Sequence, residues 1–267
     1  LNLFISGAGV PGVPWMQYVV LAQNLAWPHP EFFGEAWIVA AAVMMALLIP
    51  LAVRFLARCS FAVGVRWIVC PLLVGCVVRS LVIGLQDPAF DLGVRKILLM
   101  RLDLPFYGVL AGWLWMHRRN ELLRWRRALA ASGVIALAAT AYVYVSVALD
   151  ESVLARNALL PLCDLGCAML LPWACSLRLG DRVGKVLRVV AASMYAGLLT
   201  HVTVLRLGVF LGLPLAAQSV LQGFLMLSAC ILVCGGVAIL VWWLLDRPWL
   251  LLRDRLFAEH AGPVRER

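Results

Sequence analysis

The strongest constraint on the fold is a series of seven long apolar stretches joined by short polar connections. About 20 apolar residues span a bilayer as an α-helix, and each stretch approaches that length. The predicted spans are roughly 36–53, 67–86, 97–116, 128–149, 158–177, 189–211 and 219–245. Residues 15–27 are too short to span and are predicted to form an interfacial or re-entrant piece. We therefore expect an all-α, polytopic membrane helix bundle with about seven transmembrane helices.

Composition supports this reading, because 64% of the residues are hydrophobic and only 14% are charged. Soluble domains carry about 45–50% apolar and about 25% charged residues. A soluble fold has too little interior to bury such an excess. The sequence predicts one membrane-embedded domain over residues 1–257, followed by a short cytoplasmic tail at 258–267.

Basic residues alternate between the two sides of the predicted spans. Of the 23 lysines and arginines, 16 follow the first, third, fifth and seventh spans. The opposite connections hold only Arg95, Lys96 and Arg156. Because cytoplasmic loops collect Lys and Arg, this pattern predicts an external N-terminus and a cytoplasmic C-terminus. It also explains the net charge of +9 without a nucleic-acid partner. The inner basic loops are expected to attract anionic lipid or another cytoplasmic anion.

Ionisable side chains at membrane depth are costly and are therefore candidate functional residues. The candidates are Arg79, Arg101, Asp103, Asp164, His201 and Arg206, all predicted to lie in the outer half of their spans. One reading is structural pairing between helices, for instance Arg79 or Arg206 with Asp164. The other is a polar cavity that contacts a substrate from outside the cell. His201 is likewise either a hydrogen-bonded core histidine or a catalytic base.

The eight cysteines predict no disulfide framework and no metal site. Cys163 and Cys167 flank Asp164, but no CxxC pair or histidine cluster supports metal binding. Most cysteines lie in apolar runs, where they act as small hydrophobic side chains.

Four segments resemble motifs of the acyltransferase-three family of bacterial membrane proteins. They are QNLAWPHPEFFGEAW (23–37), VRKILLMRLDLPFYGVLAG (94–112), SMYAGLLTHVTVL (193–205) and DRPWLLLRDRL (246–256). The positions that match the family pattern are Arg101, Asp103, Tyr107, Gly108, Tyr195, His201, Arg247 and Pro248. Their order is that of the family, and the resemblance covers about residues 15–257.

The resemblance implies an enzyme of the bacterial plasma membrane that moves an acyl group, usually acetyl from acetyl-CoA, onto hydroxyls of surface carbohydrate. Acetyl-CoA would be the donor substrate, with no bound cofactor. Hydroxyl acylation needs a base and donors that hold the developing oxyanion. His201 is the candidate base because its unperturbed pKa suits proton transfer. The candidates for binding substrate or donor are Arg79, Arg101, Asp103, Tyr107, Asp164 and Tyr195.

The chain departs from the family pattern in three places. The family's histidine on its first span has no counterpart, so the chain, which starts at Leu1, is expected to begin about three spans into the pattern. The family's Glu-Glu pair falls on Ala42 and Val43, and a second tyrosine is replaced by Leu198. An incomplete or inactive enzyme is therefore one reading. A non-catalytic membrane scaffold derived from the family is an alternative, and a small-solute transporter is a third.

Overall fold

In a computed structural model, the residues described, 20–26, 36–211 and 219–258, are helical or lie in short turns and connections. The α-helices are α1 (Ala36–Leu56), α2 (Phe61–Gln86), α3 (Leu104–Ser146), α4 (Val153–Ala174), α5 (Asp181–Phe210), α6 (Val220–Val241) and α7 (Arg247–Ala258). These helices confirm the predicted all-α class. The tail predicted for 258–267 lies outside the described residues except for Ala258.

Six helical elements of the described chain are long and apolar enough to cross a membrane. The shortest, α1, has 21 residues, which is about 32 Å of helix and matches a hydrocarbon core of about 30 Å. The longest runs from Leu98 to Ser146 and has 49 residues. The protein is therefore of the multi-pass membrane type predicted from the sequence.

Helix α3 combines two of the predicted spans, and its contacts show that it reverses direction. At its start, the side chain of Asp103 lies against Gly75 in the second half of α2. Farther along, Trp113 Nε1 donates a hydrogen bond to the carbonyl oxygen of Phe61, at the start of α2, over 3.3 Å. Near its end, Val143 packs on a cluster that contains Ile83, close to the end of α2. The chain therefore runs along α2 in one direction and returns.

The reversal is explained by Arg118, whose φ of −133° and ψ of 31° are not helical. Divided at this kink, the element gives two apolar segments, one before and one after Arg118. The described chain then has seven apolar segments, in line with the predicted number.

The third predicted span, 97–116, starts later as an α-helix than expected. Residues Leu98–Arg101 form a 3₁₀ turn, and α3 begins only at Leu104. Pro105 lies in the first turn of α3, where its missing N–H and its fixed φ favour a helix start. Arg101 and Asp103 consequently lie before the helix rather than on it.

The connection between α2 and α3 is compact and folds back on α2. Asp87 ends α2 in the left-handed conformation (φ 46°), and Phe90–Arg95 form a π-helical turn. The backbone N–H groups of Leu98 and Leu99 donate to the carbonyl oxygens of Asn24 and Leu25 at 2.9 and 3.0 Å. The described part of the predicted 15–27 piece therefore docks on this connection.

Contacts divide the chain into two compact units, Leu1–Leu177 and Arg178–Arg267. The first unit contains two buried apolar clusters, one around Ile83, Val94 and Leu159 and one around Ile68 and Trp113. The second unit consists of α5, α6 and the segment that follows it. The single domain predicted for residues 1–257 stays a prediction.

Candidate functional site

Arg79 and Asp103 form a buried ion pair in the first unit. Arg79 Nη2 lies 2.5 Å from Asp103 Oδ2, and both side chains are almost fully buried. Arg79 Nη1 also donates to the Met100 carbonyl at 2.8 Å, and Nε donates to Asn157 Oδ1 at 3.3 Å. The guanidinium therefore ties together α2, the 3₁₀ turn and α4. With every nitrogen engaged, Arg79 acts as a structural clamp rather than as a free donor.

Arg101 and Asp164 form a looser pair close to the first one. Arg101 Nη2 lies 3.5 Å from Asp164 Oδ2, and the side chains are 14% and 15% exposed. Well-formed N–H···O bonds are shorter, about 2.7–3.2 Å. Among the described residues, this is the one hydrogen bond that the Arg101 side chain makes. Arg101 therefore keeps donor capacity for another group.

The sequence had correctly indicated that Arg101 and Asp103 need partners on other elements, but the partners differ from the suggested ones. The acid that binds Arg79 is Asp103, whereas Asp164 binds Arg101. Because residues 98–103 do not form a regular α-helix, the sequence could not place these two side chains. Tyr107 lies one turn beyond Asp103 on α3 and is half-buried.

Arg101 lines a small cavity of about 10 Å³, room for about one water molecule, between α1 and the connection before α3. Its lining residues are Asn24, Trp37, Ala41, Met45, Arg95, Lys96, Ile97, Leu98, Arg101 and Leu104. Trp37, Ala41 and Met45 are four residues apart and share one face of α1. The pocket thus combines an apolar wall with three cationic side chains.

Asn24 is a pocket residue that sequence reasoning did not single out. Its side chain is fully buried, and its Nδ2 donates to the carbonyl oxygens of Lys96 at 2.7 Å and Trp37 at 3.3 Å. Since carbonyls only accept, these bonds fix the orientation of the amide. Within the described part of the chain, Oδ1 has no hydrogen-bond partner. A buried acceptor without a partner beside a cavity of this size is a natural contact for one water molecule.

The two other cations of the pocket are held by one carboxylate. Asp91 accepts a hydrogen bond from Lys96 Nζ at 2.7 Å and pairs with Arg95. Partial burial raises the pKa of Asp91, but the Lys96 hydrogen bond and the Arg95 charge together outweigh it. The pKa therefore lies below its ordinary value of 3.8. The guanidinium of Arg95 also lies 5.9 Å from the centre of the Trp37 ring.

A further ion pair that the sequence did not indicate anchors the start of α4. Arg156 is buried and donates to Asp87 Oδ1 at 2.6 Å and to the Pro88 carbonyl at 2.8 Å. The sequence analysis placed Arg156 in an outer connection, between the predicted spans 128–149 and 158–177. Its burial could not be predicted from charge counting, since it depends on the left-handed turn at Asp87.

The two positions at which the resemblance would place a Glu-Glu pair, Ala42 and Val43, do not share the pocket face of α1. Ala42 and Val43 are exposed, whereas Ala41 and Met45 line the pocket. A carboxylate at position 42 or 43 would therefore project from another side of the helix.

His201 and Tyr195 lie on α5 in the second unit. His201 Nδ1 is 2.8 Å from the Leu198 carbonyl oxygen and 3.2 Å from that of Gly197. Because carbonyl oxygens only accept, Nδ1 is the donor in these contacts. Both contacts are made within its own helix, α5. Tyr195 is exposed.

Within the described ranges, no group of three or more His, Cys, Asp or Glu side chains could hold a metal ion. No family model, no curated protein and no solved structure matches the chain.

Proposed function

We propose that the chain is a membrane acyltransferase-like protein that moves an acyl group, acetyl from acetyl-CoA, onto a hydroxyl of an extracytoplasmic carbohydrate. The proposal rests on the four motif segments and on the pocket beside Arg101. With the orientation that the basic connections predict, this pocket faces the outside of a bacterial plasma membrane. The acceptor would be a surface polysaccharide or a lipid-linked glycan.

The observation that carries the proposal is the set of open contacts at the pocket. Asn24 Oδ1 is buried and has no partner among the described residues, so it would accept a hydrogen bond from a sugar hydroxyl only when the small cavity opens. The Trp37 ring offers an apolar surface of the kind on which sugar rings pack. Arg101 makes one long hydrogen bond and can donate to an oxygen that gains negative charge.

In the proposed reaction, the acceptor oxygen attacks the thioester carbonyl carbon and its proton passes to a base. The carbon–sulfur bond breaks, and coenzyme A leaves after taking up a proton. Arg101 would stabilise the intermediate oxyanion.

A labelling experiment with the full-length gene tests the proposal. Cells that lack the gene are complemented with wild type, Arg101→Gln or Arg66→Gln, and radiolabelled acetate in surface glycan is measured at matched protein levels. Loss of one oxyanion donor costs about 10²–10³ in rate, so Arg101→Gln should lower labelling about 100-fold. Arg66 is an exposed arginine of α2 and serves as the matched control. Labelling that does not depend on the gene would refute the enzymatic proposal.

A second candidate is a non-catalytic membrane scaffold. It is favoured by the apolar, exposed positions Ala42 and Val43, where the family has carboxylates, and by the saturated Arg79. If the protein is a glycan-binding scaffold, deleting the gene should not change acetate labelling of surface glycan. The variant Asn24→Leu should then bind carbohydrate more weakly than wild type.

A further inference from the structure

A basic segment, residues 118–127, begins the second part of α3 directly after the kink. It contains five arginines, Arg118, Arg119, Arg124, Arg126 and Arg127, and one acid, Glu121. Arg118 Nη1 pairs with Glu121 Oε1 at 2.8 Å. Within the part of the chain that the structure describes, the other four arginines have no carboxylate partner. The segment therefore carries uncompensated positive charge.

Aromatic rings hold three of these guanidinium groups. Arg118 lies 5.0 Å from the centre of the Phe61 ring, and Arg119 lies 5.2 Å from that of Trp115. Arg124 lies 5.9 Å from the ring of Trp125. Stacking on a ring restrains the plane of a guanidinium but leaves its N–H edges available. Such edges bind phosphate oxygens in pairs.

Large apolar side chains are exposed among the arginines. Met116 is 66% exposed and Trp125 is 59% exposed. A soluble phosphate would leave these side chains in water. A phospholipid would cover them with its acyl chains while its phosphate meets the arginines, and tryptophan favours this interfacial depth.

We propose that the basic segment is a binding site for the headgroup of an anionic phospholipid. Arg124 and Arg127, one turn apart on α3 and both exposed, are its principal phosphate ligands, and Trp125 and Met116 contact the acyl chains. This site is independent of acyl transfer and of the pocket at Arg101. Each arginine near an anionic headgroup contributes about fivefold in affinity.

The test is equilibrium binding of phosphatidylglycerol to the full chain in detergent micelles, followed by native mass spectrometry. The variant Arg124→Gln/Arg127→Gln should bind phosphatidylglycerol about 25-fold more weakly, with phosphatidylcholine binding unchanged. The matched control is Arg178→Gln/Arg182→Gln, which removes the same charge from exposed arginines in the second unit. This control should weaken binding clearly less than the first double variant does. Because all four side chains are exposed, the variants should fold, and circular dichroism checks this.

Two results would overturn the proposal. An equal loss of affinity in both double variants would show that overall charge, not this site, attracts the lipid. Binding of inorganic pyrophosphate that depends on Arg124 and Arg127 and displaces phosphatidylglycerol would assign the segment to a soluble phosphate ligand.

Discussion

At the residue scale, the buried charge of Arg79 contributes to stability because the carboxylate of Asp103 compensates it. Removing one partner of a buried ion pair leaves the other charge without compensation, which costs about 3–5 kcal/mol. We therefore expect Asp103→Asn to lower the free energy of unfolding by about that amount, because Arg79 keeps its burial but loses its countercharge. Reversible unfolding in mixed detergent micelles measures this change.

The matched control for Asp103→Asn is Asp91→Asn, which also removes one paired carboxylate. Asp91 is half exposed, and exposed ion pairs contribute about 0–1 kcal/mol. The double variant Arg79→Met/Asp103→Leu should be less destabilised than Asp103→Asn, since it removes the orphaned charge. A cost below about 1 kcal/mol for Asp103→Asn would contradict the clamp assigned to this pair.

How far the site could be predicted differs from residue to residue. The need for partners at Arg79, Arg101, Asp103 and Asp164 follows from the cost of charge in lipid. The choice of partners does not follow, because it depends on a 3₁₀ turn and a π-helical turn that apolar periodicity does not reveal. Asn24 carries no charge, so no cost argument could single it out. Its role emerges only where two backbone carbonyls pin its amide.

At the element scale, α3 and α4 approach each other closely at a pair of glycines. A β-carbon on Gly133 would lie 2.8 Å from the carbonyl oxygen of Gly166 and 3.3 Å from the side chains of Met169 and Leu170. Small residues permit such close packing between membrane helices. Because the nearest atom belongs to a backbone, the helices would have to move apart.

We expect Gly133→Ala to destabilise the protein by about 1–3 kcal/mol, the usual cost of overpacking. Gly112→Ala is the matched control on the same helix, because a β-carbon there meets no atom within 4 Å. That control should be neutral or stabilise by up to about 1 kcal/mol, since alanine favours helix. Both are measured by unfolding in micelles. Equal effects of the two substitutions would rule out the proposed close contact.

At the scale of the whole molecule, the kink at Arg118 decides how many times the chain crosses the membrane. A straight helix of the length of α3, 43 residues, would extend about 65 Å, twice the hydrocarbon thickness. The sequence predicted two spans here from the five arginines between apolar stretches. It could not predict that the turn between them would stay almost entirely helical, because single-residue kinks leave no pattern in the sequence.

The reversal predicts that residues 121 and 151, at the two ends of the returning segment, lie on opposite sides of the membrane. Glu121 and Glu151 are both exposed, so each is replaced by cysteine in a chain without the eight native cysteines. A membrane-impermeant maleimide should label Glu151→Cys in intact cells and Glu121→Cys only after permeabilisation. This orientation follows from the arginines around Glu121, which favour the cytoplasmic side. Labelling of both positions in intact cells would show that the chain does not cross between them, and the external placement of the Arg101 pocket would lose its basis.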